Sequence, residues 1–411
     1  MQISKTSIKL AGVYLLIISA PPILFSLLNL KGMAIGTTLV SVFAMIISRG
    51  VKLRKIKRNA FLILTVLVFY AALQHIANGF WTAKAYLSIP ALALIVVSAK
   101  YCSLRLLRLK QEALHGALLS IGLLGVAILF INHLLSYQLG LFFGYANEKA
   151  VFPFLEPSHS ALALGPVFLA NIAVSKHRVI SIFFILASIF ASFFIPSATF
   201  LPYALIGLAV HLIKHEIKLF PLSFPAIIFP SMFVLATVLS NPYLSDRLNL
   251  SSESDNLSVL VYLQGIDDAI NSLRISGGLG LGFQMLGTQP PSTYAIPIER
   301  ILGSTGGELN REDGSFLAAK LIAETGLLGL LLIVMYFVIA VKGIKSLINT
   351  HRYAGNQDLN LTCCALVLGY SVEMFVRGYG YFSPGFFVFL IAVFSAESKE
   401  LKKSLRLFRH T

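Results

Sequence analysis

Residues 113–135 read ALHGALLSIGLLGVAILFINHLL, a run without aspartate, glutamate, lysine or arginine. At about 1.5 Å of rise per residue, a helix of roughly 20 residues crosses the hydrocarbon core of a bilayer. Because lipid offers no hydrogen bonds to the backbone, a chain that crosses it forms helices or a closed barrel. Barrel strands alternate in hydropathy over about ten residues, whereas this run is apolar on every face. It therefore predicts a membrane-spanning helix.

The composition of the whole chain supports the same conclusion. Of its 411 residues, 56% are hydrophobic and 12% are charged, with a mean hydropathy of +0.80. Soluble domains carry about 25% charged residues, so this chain cannot cover a water-facing surface. In a soluble protein the net charge of +15 would suggest a nucleic-acid partner. In a membrane protein it indicates basic loops on the cytoplasmic side, and no nucleic-acid partner is expected.

Similar runs recur along the chain and predict an all-α integral membrane protein with about twelve transmembrane helices and one long outer loop. We divide the chain into a nine-helix membrane region (1–240), a long periplasmic loop (241–315), and three further helices with a basic cytoplasmic tail (316–411). The predicted spans lie near 10–30, 33–48, 60–78, 85–99, 113–135, 157–174, 179–195, 197–213, 220–240, 316–341, 360–376 and 384–396.

The distribution of charge predicts the orientation. With the N-terminus in the cytoplasm, most of the 33 basic residues fall in cytoplasmic segments and most of the 18 acidic residues fall outside. Lysine and arginine accumulate on the cytoplasmic side of membrane proteins. An even number of spans returns the C-terminus to the side of the N-terminus. We expect a multi-pass protein of a bacterial inner membrane with both termini in the cytoplasm.

The segment 241–315 is long for a connection between two helices, and loops of this length are usually functional. Within it, 256–274 (NLSVLVYLQGIDDAINSLR) places apolar residues at near-helical spacing, which predicts an amphipathic helix at the membrane surface. Ordinary packing of a loop helix is the alternative. The glycine-rich stretch 277–287 (GGLGLGFQMLG) predicts a tight turn, since no strand–turn–helix context supports a dinucleotide site.

Four arginines lie in the predicted loop and a fifth follows the eleventh span: Arg247, Arg274, Arg300, Arg311 and Arg377. Arginine makes planar, bidentate, permanently charged contacts with phosphate. Two or three convergent arginines can therefore hold a pyrophosphate without a metal ion. The alternative for the loop arginines is a salt bridge with an acidic residue nearby in sequence. For Arg377 that alternative is weaker, because a charge between two short spans is costly unless it has a partner.

A carboxylate, a hydroxyl and an imidazole follow one another at the outer mouth of the sixth span, in Glu156, Pro157, Ser158 and His159. Proline fits the first position of a helix, and a carboxylate gains there from the helix dipole. In the simpler interpretation, the cluster is only the start of a helix that carries polar side chains. In the functional interpretation, Glu156 or His159 is an acid/base group or a sugar contact at the membrane surface.

Residues 310–315 (NREDGS) precede the tenth predicted span. Asp313 or Ser315 can cap the helix that follows, which is the simpler interpretation. In the functional interpretation, Asp313 is a base or accepts a hydrogen bond from a sugar hydroxyl above the membrane. Inside the span, Lys320 and Glu324 are four residues apart and can pair on one helix face.

The three cysteines, Cys102, Cys363 and Cys364, show neither a disulfide framework nor the spacing of a zinc site. The other polar clusters also lack metal-ligand spacing. We therefore expect no metal and no cofactor.

Three stretches, together with the order of spans and loop, resemble the O-antigen polymerase family (Wzy-type) and, more distantly, the O-antigen ligases. They are FLEPSHSALALGP at 154–166, NREDGSFLAAKLIAETGLLGLL at 310–331, and VEMFVRGYGYFSPGF at 372–386. The resemblance covers the architecture over most of the chain, whereas the local similarity is limited to these stretches. Together the motifs are moderately specific, and singly they are weak.

The resemblance implies glycosyl transfer on the periplasmic face. The donor would be an oligosaccharide on undecaprenyl pyrophosphate, and the acceptor a sugar of another lipid-linked repeat unit. The chain would grow by block transfer, with lipid pyrophosphate as the leaving group. In this family outer-face arginines are thought to hold the pyrophosphate, which agrees with the chemistry of arginine given above. Arg247, Arg311 and Arg377 are the first positions for that role, followed by Arg300 and Arg274.

The resemblance leaves the catalytic base open. O-antigen ligases typically carry a His-Asn pair before the late span, where this chain has Asp313 and Gly314. The difference favours a polymerase over a ligase and puts in doubt any base assigned by position. Asp313, Glu156 and His159 all remain candidates for deprotonating the acceptor hydroxyl. A separate chain-length regulator is a partner that the resemblance implies.

Three alternatives remain. A lipid-linked sugar flippase would have a similar number of spans, but short loops and charged residues inside its membrane helices. A ligase or another lipid-linked sugar transferase would differ mainly in its acceptor. A purely structural membrane scaffold would leave the outer-face arginines without a role.

Overall fold

The computed structural model describes most of the chain. The predicted ninth span (220–240) and Arg247 lie outside the described part. The described residues are 4–28, 33–48, 59–79, 82–142, 151–154, 156–195, 197–215, 254–303, 311–349 and 357–396.

The described residues are helical, as predicted, and they contain no named strand. The first eight helices are α1 (Lys5–Leu27), α2 (Ala34–Ile47), α3 (Asn59–Asn78), α4 (Ala83–Leu106), α5 (Gln111–Phe142), α6 (Pro157–Val174), α7 (Arg178–Phe194) and α8 (Phe200–His215). The helices after residue 254 are α9 (Leu257–Ile275), α10 (Ala295–Leu302), α11 (Leu317–Thr325), α12 (Leu327–Asn349), α13 (Gln357–Phe375) and α14 (Pro384–Ala396).

Five of these helices are long and apolar enough to cross a membrane, which agrees with a membrane protein. The qualifying segments are Lys5–Phe25, Ala83–Leu106, Gln111–Leu135, Pro157–Val174 and Leu327–Asn349. The helices α2, α7, α8 and α14 are shorter but also apolar. Helices therefore occupy most of the predicted positions, while the count of twelve spans stays a prediction.

Helix ends meet on one side of the bundle, which we call the loop side. Near the start of α2, the Thr37 hydroxyl donates to the backbone oxygen of Phe382, 2.7 Å away, just before α14. Before α6, the Glu156 carboxylate lies 3.2 Å from Nη2 of Arg377, which follows α13. These contacts bring residues from the first, middle and last thirds of the sequence together at a single face.

The helix α6 forms the centre of the bundle, with 78% of its residues buried. It packs against α5, α7, α8 and α13. Gly165 allows α8 to come close, because a Cβ at this position would overlap the Tyr203 ring. The Asn171 side chain donates to the backbone oxygens of Leu118 and Val167 at 2.8 and 3.0 Å. A buried amide inside an apolar helix is thus satisfied by backbone groups.

The predicted tenth span, 316–341, is not a single helix. It breaks at Gly326, which has φ +60° and separates α11 from α12. The glycine-rich stretch 277–287 packs into the break, where Leu327 N donates to Gly278 O at 2.9 Å. A Cβ on Gly326 would overlap the carbonyl oxygen of Gly278. Hydropathy missed the break because the residues on both sides of it are apolar.

The predicted loop helix is present as α9, and the Asn256 side chain caps it by accepting from Ser258 N at 3.0 Å. Its apolar residues fall on two sides. Leu260 is buried against the protein, whereas Ile266 and Ile270 are exposed. The near-helical spacing therefore does not mark a single apolar face.

Candidate functional site

The loop between α13 and α14 carries Arg377 and is held in place by backbone hydrogen bonds. Arg377 N donates to Val372 O at 3.0 Å, and Gly378 N donates to Ser315 O at 3.0 Å. A short 3-10 helix, Gly380–Phe382, then leads into α14. Contacts with α13 and with the turn before α11 thus fix the position of the Arg377 backbone.

Glu156 faces this loop from the start of α6. Its backbone is extended (φ −139°, ψ 154°), and Pro157 occupies the first turn of the helix, as the sequence predicts. The Glu156 carboxylate does not cap its own helix. It accepts a hydrogen bond from the Ser158 hydroxyl at 3.2 Å and turns toward Arg377.

The ion pair between Arg377 and Glu156 is the centre of the site. Arg377 Nη2 donates to Glu156 Oε2 at 3.2 Å, and the two side chains are 22% and 43% exposed. Burial alone would raise the pKa of Glu156. The imidazole of His159, the guanidinium of Arg377 and the hydroxyl of Ser158 outweigh burial and hold that pKa below its ordinary value. Glu156 is therefore a carboxylate at neutral pH.

His159 forms the floor of the site, one turn into α6. Its Nε2 lies 3.7 Å from Glu156 Oε2. Its ring meets the Tyr379 ring edge to face, with 4.3 Å between the centroids. The imidazole is buried, so its contacts are with protein groups rather than with bulk water. The arrangement holds a carboxylate, a guanidinium, an imidazole and a phenol within a few ångströms of one another.

Asp313 lies near this group but is exposed. Burial raises the pKa of Tyr379, and the nearby negative charges of Glu156, Glu373 and Asp313 raise it further. The expectation that Asp313 or Ser315 caps the following helix is wrong. The N-cap of α11 is Phe316, without a side-chain hydrogen bond. Ser315 has φ +62°, and its hydroxyl donates instead to the backbone oxygen of Val261 in α9.

Arg311 belongs to a different group of residues. It is buried, and its Nη2 donates to the backbone oxygen of Gln289. Asp268 of α9 faces the same place. Burial raises the pKa of Asp268 to about 6, against the opposing effects of Gln289 and Arg311. The structure therefore places Arg311 in a polar cluster under α9 rather than beside Arg377.

The remaining predicted arginines are not gathered around the ion pair. Arg274 is exposed in the last turn of α9, and Arg300 is exposed in the last turn of α10. Arg247 lies outside the described residues.

The predicted pairing of Lys320 with Glu324 is confirmed. Nζ of Lys320 lies 3.4 Å from Oε1 of Glu324, and both side chains are almost completely buried. The lysine also donates to the backbone oxygen of Glu312. Glu324 Oε1 accepts from Leu286 N at 3.3 Å. This pair joins α11 to the segments before it, which is a structural role.

Sequence reasoning missed Glu373, which lies under the loop that carries Arg377. The Glu373 carboxyl faces the Ser383 hydroxyl and the backbone amide of Tyr379. A Cβ on Gly385 would overlap Oε2 of Glu373, so the carboxyl lies against the start of α14. A signal was present, because a lone glutamate inside an apolar span is uncommon and needs a partner.

Comparison with known proteins identifies no relative: no protein family, no curated protein and no solved structure matches the chain.

Proposed function

We propose that the protein polymerises oligosaccharide repeat units carried on undecaprenyl pyrophosphate into O-antigen or a related surface polysaccharide. The observation that carries the proposal is the ion pair between Arg377 and Glu156, with His159 and Tyr379 beside it. It joins two of the stretches on which the resemblance rests, 154–166 and 372–386. A site at helix ends also suits a substrate whose lipid part stays in the membrane.

The role of Arg377 is to bind and stabilise the departing diphosphate. A guanidinium has five N–H donors in a planar fork that matches phosphate oxygens. The contact with Glu156 is a single hydrogen bond from Nη2. When the glycosyl bond breaks, negative charge develops on the leaving diphosphate, and a fixed cation there lowers the barrier. Arg311, Arg300, Arg274 and Arg247 remain secondary candidates for the same substrate.

The role of Glu156 is to accept the proton of the acceptor hydroxyl. The acceptor oxygen bonds to the anomeric carbon, the bond from that carbon to the phosphate oxygen breaks, and the diphosphate leaves with the electron pair. While paired with Arg377, Glu156 has a lowered pKa and is a weak base. A diphosphate that engages Arg377 weakens this pairing, so donor binding makes the carboxylate more basic. His159 and Asp313 are the alternative bases.

The proposal includes a location and partners. The loop side would face the periplasm, with both termini in the cytoplasm, in a bacterial inner membrane. The partners would be the lipid-linked oligosaccharide, the bilayer and a chain-length regulator. The enzyme would be a metal-independent glycosyltransferase without a cofactor.

The first experiment removes the gene from a strain whose surface polysaccharide forms a ladder on a gel, and then restores it. We expect a band of core plus one repeat unit in place of the ladder, and recovery of the ladder on restoration. Loss of all repeat units from the core, with polymer accumulating on the carrier lipid, would indicate a ligase instead. Single lipid-linked units accumulating on the cytoplasmic face would indicate a flippase.

The same strain tests the site. Restoring the gene with Arg377→Ala should abolish the ladder, because loss of one group that stabilises developing charge costs roughly 100- to 1,000-fold in rate. Arg377→Lys should recover little, since lysine lacks the planar fork. The matched control is Arg105→Ala, an exposed arginine in the last turn of α4 on the opposite side of the bundle. A normal ladder with Arg377→Ala, at equal protein in the membrane, would remove Arg377 from the mechanism.

A further inference from the structure

From residue 264 onward, α9 buries polar side chains and exposes isoleucines, which is the reverse of a helix that faces water. It buries Gln264 and Asp268 at 2% exposure each, together with Ser272. It exposes Ile270 at 59% and Ile266 at 37%. A helix between a protein and water places its polar side chains outward and its apolar side chains inward. The second half of α9 instead turns polar side chains toward the protein, while its first turns bury Val259, Leu260 and Val261.

The buried side of α9 is fixed by close contacts. A Cβ on Gly265 would lie 2.8 Å from Gly314 O, so the helix backbone rests directly on the turn before α11. The Tyr262 hydroxyl donates to Phe375 O at 3.1 Å, at the end of α13. The helix therefore cannot turn over to bring its isoleucines inward. Whatever meets the isoleucines lies outside the described bundle.

Contacts with α3 fix where the segment after α9 lies along the axis of the bundle. Tyr70 and Gln74 donate to Leu279 O at 2.8 Å each, and one turn further on Asn78 donates to Gly280 O at 3.1 Å. Eight residues of helix correspond to about 12 Å along the axis. The glycine-rich stretch thus lies beside the last 12 Å or so of α3.

Over that same length, α3 turns large apolar side chains outward. Ile76 is 83% exposed, and Phe69 is 69% exposed. In a membrane-spanning bundle such side chains face acyl chains. The glycine-rich stretch that α3 contacts therefore lies at a level of the bundle that lipid surrounds.

The surface of α9 also continues into the outer face of α12. Leu327, at the start of α12, is 65% exposed, and its side chain lies against Gly278. Ile275, the last residue of α9, is 61% exposed and lies three positions before Gly278. Only six of the 23 residues of α12 are buried in the described bundle, so its outer face is the surface offered to lipid.

We infer that α9 lies in the loop-side leaflet of the bilayer, with Ile266, Ile270 and Ile275 among the acyl chains. Arg274, exposed in its last turn, is a cation suited to lipid phosphate. The predicted long loop is then in part a membrane-embedded element that covers the bundle from the side. This inference is independent of the proposed enzymatic function.

The test measures where a spin label at position 270 resides in the full-length protein. Ile270→Cys is labelled with a nitroxide in lipid nanodiscs. Its collision rates with oxygen, which concentrates in lipid, and with a water-soluble nickel chelate are then compared. Leu331→Cys on the exposed face of α12 is the lipid control, and Thr293→Cys, exposed before α10, is the aqueous control. Wild-type protein treated in the same way gives the background from native cysteines.

We expect position 270 to match position 331, with oxygen collisions exceeding chelate collisions severalfold. Collision rates that match position 293 would overturn the inference. If Ile270→Cys is not monodisperse, Ile266→Cys provides the same measurement on the same face. Neither readout depends on enzymatic activity, so a failure here leaves the proposed function standing, and the reverse also holds.

Discussion

Asp268 shows how one buried carboxyl makes the outer part of the molecule sensitive to pH. Burial raises its pKa from 3.8 to about 6 in the folded protein. Below about pH 4 the carboxyl is protonated in both the folded and the unfolded chain. As the pH rises from about 4 to about 6, the unfolded chain releases this proton while the folded chain still holds it, so the folded state loses stability. One pKa unit corresponds to about 1.4 kcal/mol, so the loss is on the order of 2–3 kcal/mol.

We predict that the melting temperature of the detergent-solubilised protein falls between about pH 4 and pH 6, and that Asp268→Asn removes part of this decrease. An amide has the shape of the carboxyl but does not ionise. The control is Asp255→Asn, an exposed aspartate just before the same helix. That variant should keep the wild-type slope. Equal slopes in all three proteins would show that Asp268 does not couple stability to pH.

At the residue scale, sequence reasoning identified the chemistry of the site but not its grouping. Glu156, His159 and Arg377 were selected separately, for residue type and position near helix ends. Their meeting across 221 positions of sequence depends on how α6 and α13 pack, and the residue types at these positions do not reveal that packing. Arg311 has the same chemistry and a similar sequence context, yet it is buried against Gln289 O. Burial separates the two arginines, and charge pattern does not reveal burial.

At the scale of elements, the glycine-rich stretch and the break between α11 and α12 depend on each other. Leu281 N donates to Ala323 O at 2.9 Å, and Gly282 N donates to Glu324 O at 3.0 Å. Backbone carbonyls at the end of α11, which a continuous helix would satisfy internally, are satisfied here by the crossing segment. Hydropathy predicted both segments correctly as apolar or turn-rich. It did not predict their contact, because hydrogen bonding between backbones leaves no trace in side-chain type.

We predict that Gly326→Ala destabilises the protein by about 1–3 kcal/mol, because a side chain there is strained at positive φ and overlaps a backbone carbonyl. Thermal unfolding in detergent, followed by size-exclusion chromatography, measures the change. The control is Gly343→Ala within α12, where the nearest atom to a new Cβ is 3.8 Å away. That variant should be neutral or stabilised by up to about 1 kcal/mol, as expected from helix propensity. If both variants have the melting temperature of the wild type, the break between α11 and α12 does not require glycine at position 326.

At the scale of the whole molecule, the described helices place the ends of α2, α4 and α14 on the same side. The Ser48 hydroxyl after α2 lies 3.7 Å from Cys102 Sγ near the end of α4. Nζ of Lys100 lies 5.0 Å from the centroid of the Phe394 ring near the end of α14. These contacts are opposite the loop side. The location of both termini in the cytoplasm stays a prediction.

The distribution of charge predicts which side faces the cytoplasm. The turn between α6 and α7 carries Lys176 and Arg178 on the side opposite the loops, and basic residues accumulate in the cytoplasm. We predict that a membrane-impermeant maleimide labels Thr293→Cys in intact cells but labels Lys176→Cys only after the inner membrane is permeabilised. Both positions are exposed, so access depends on the side of the membrane. Wild-type cells control for Cys102, Cys363 and Cys364. The reverse pattern would place the Arg377 site in the cytoplasm, where a periplasmic polymerase cannot act.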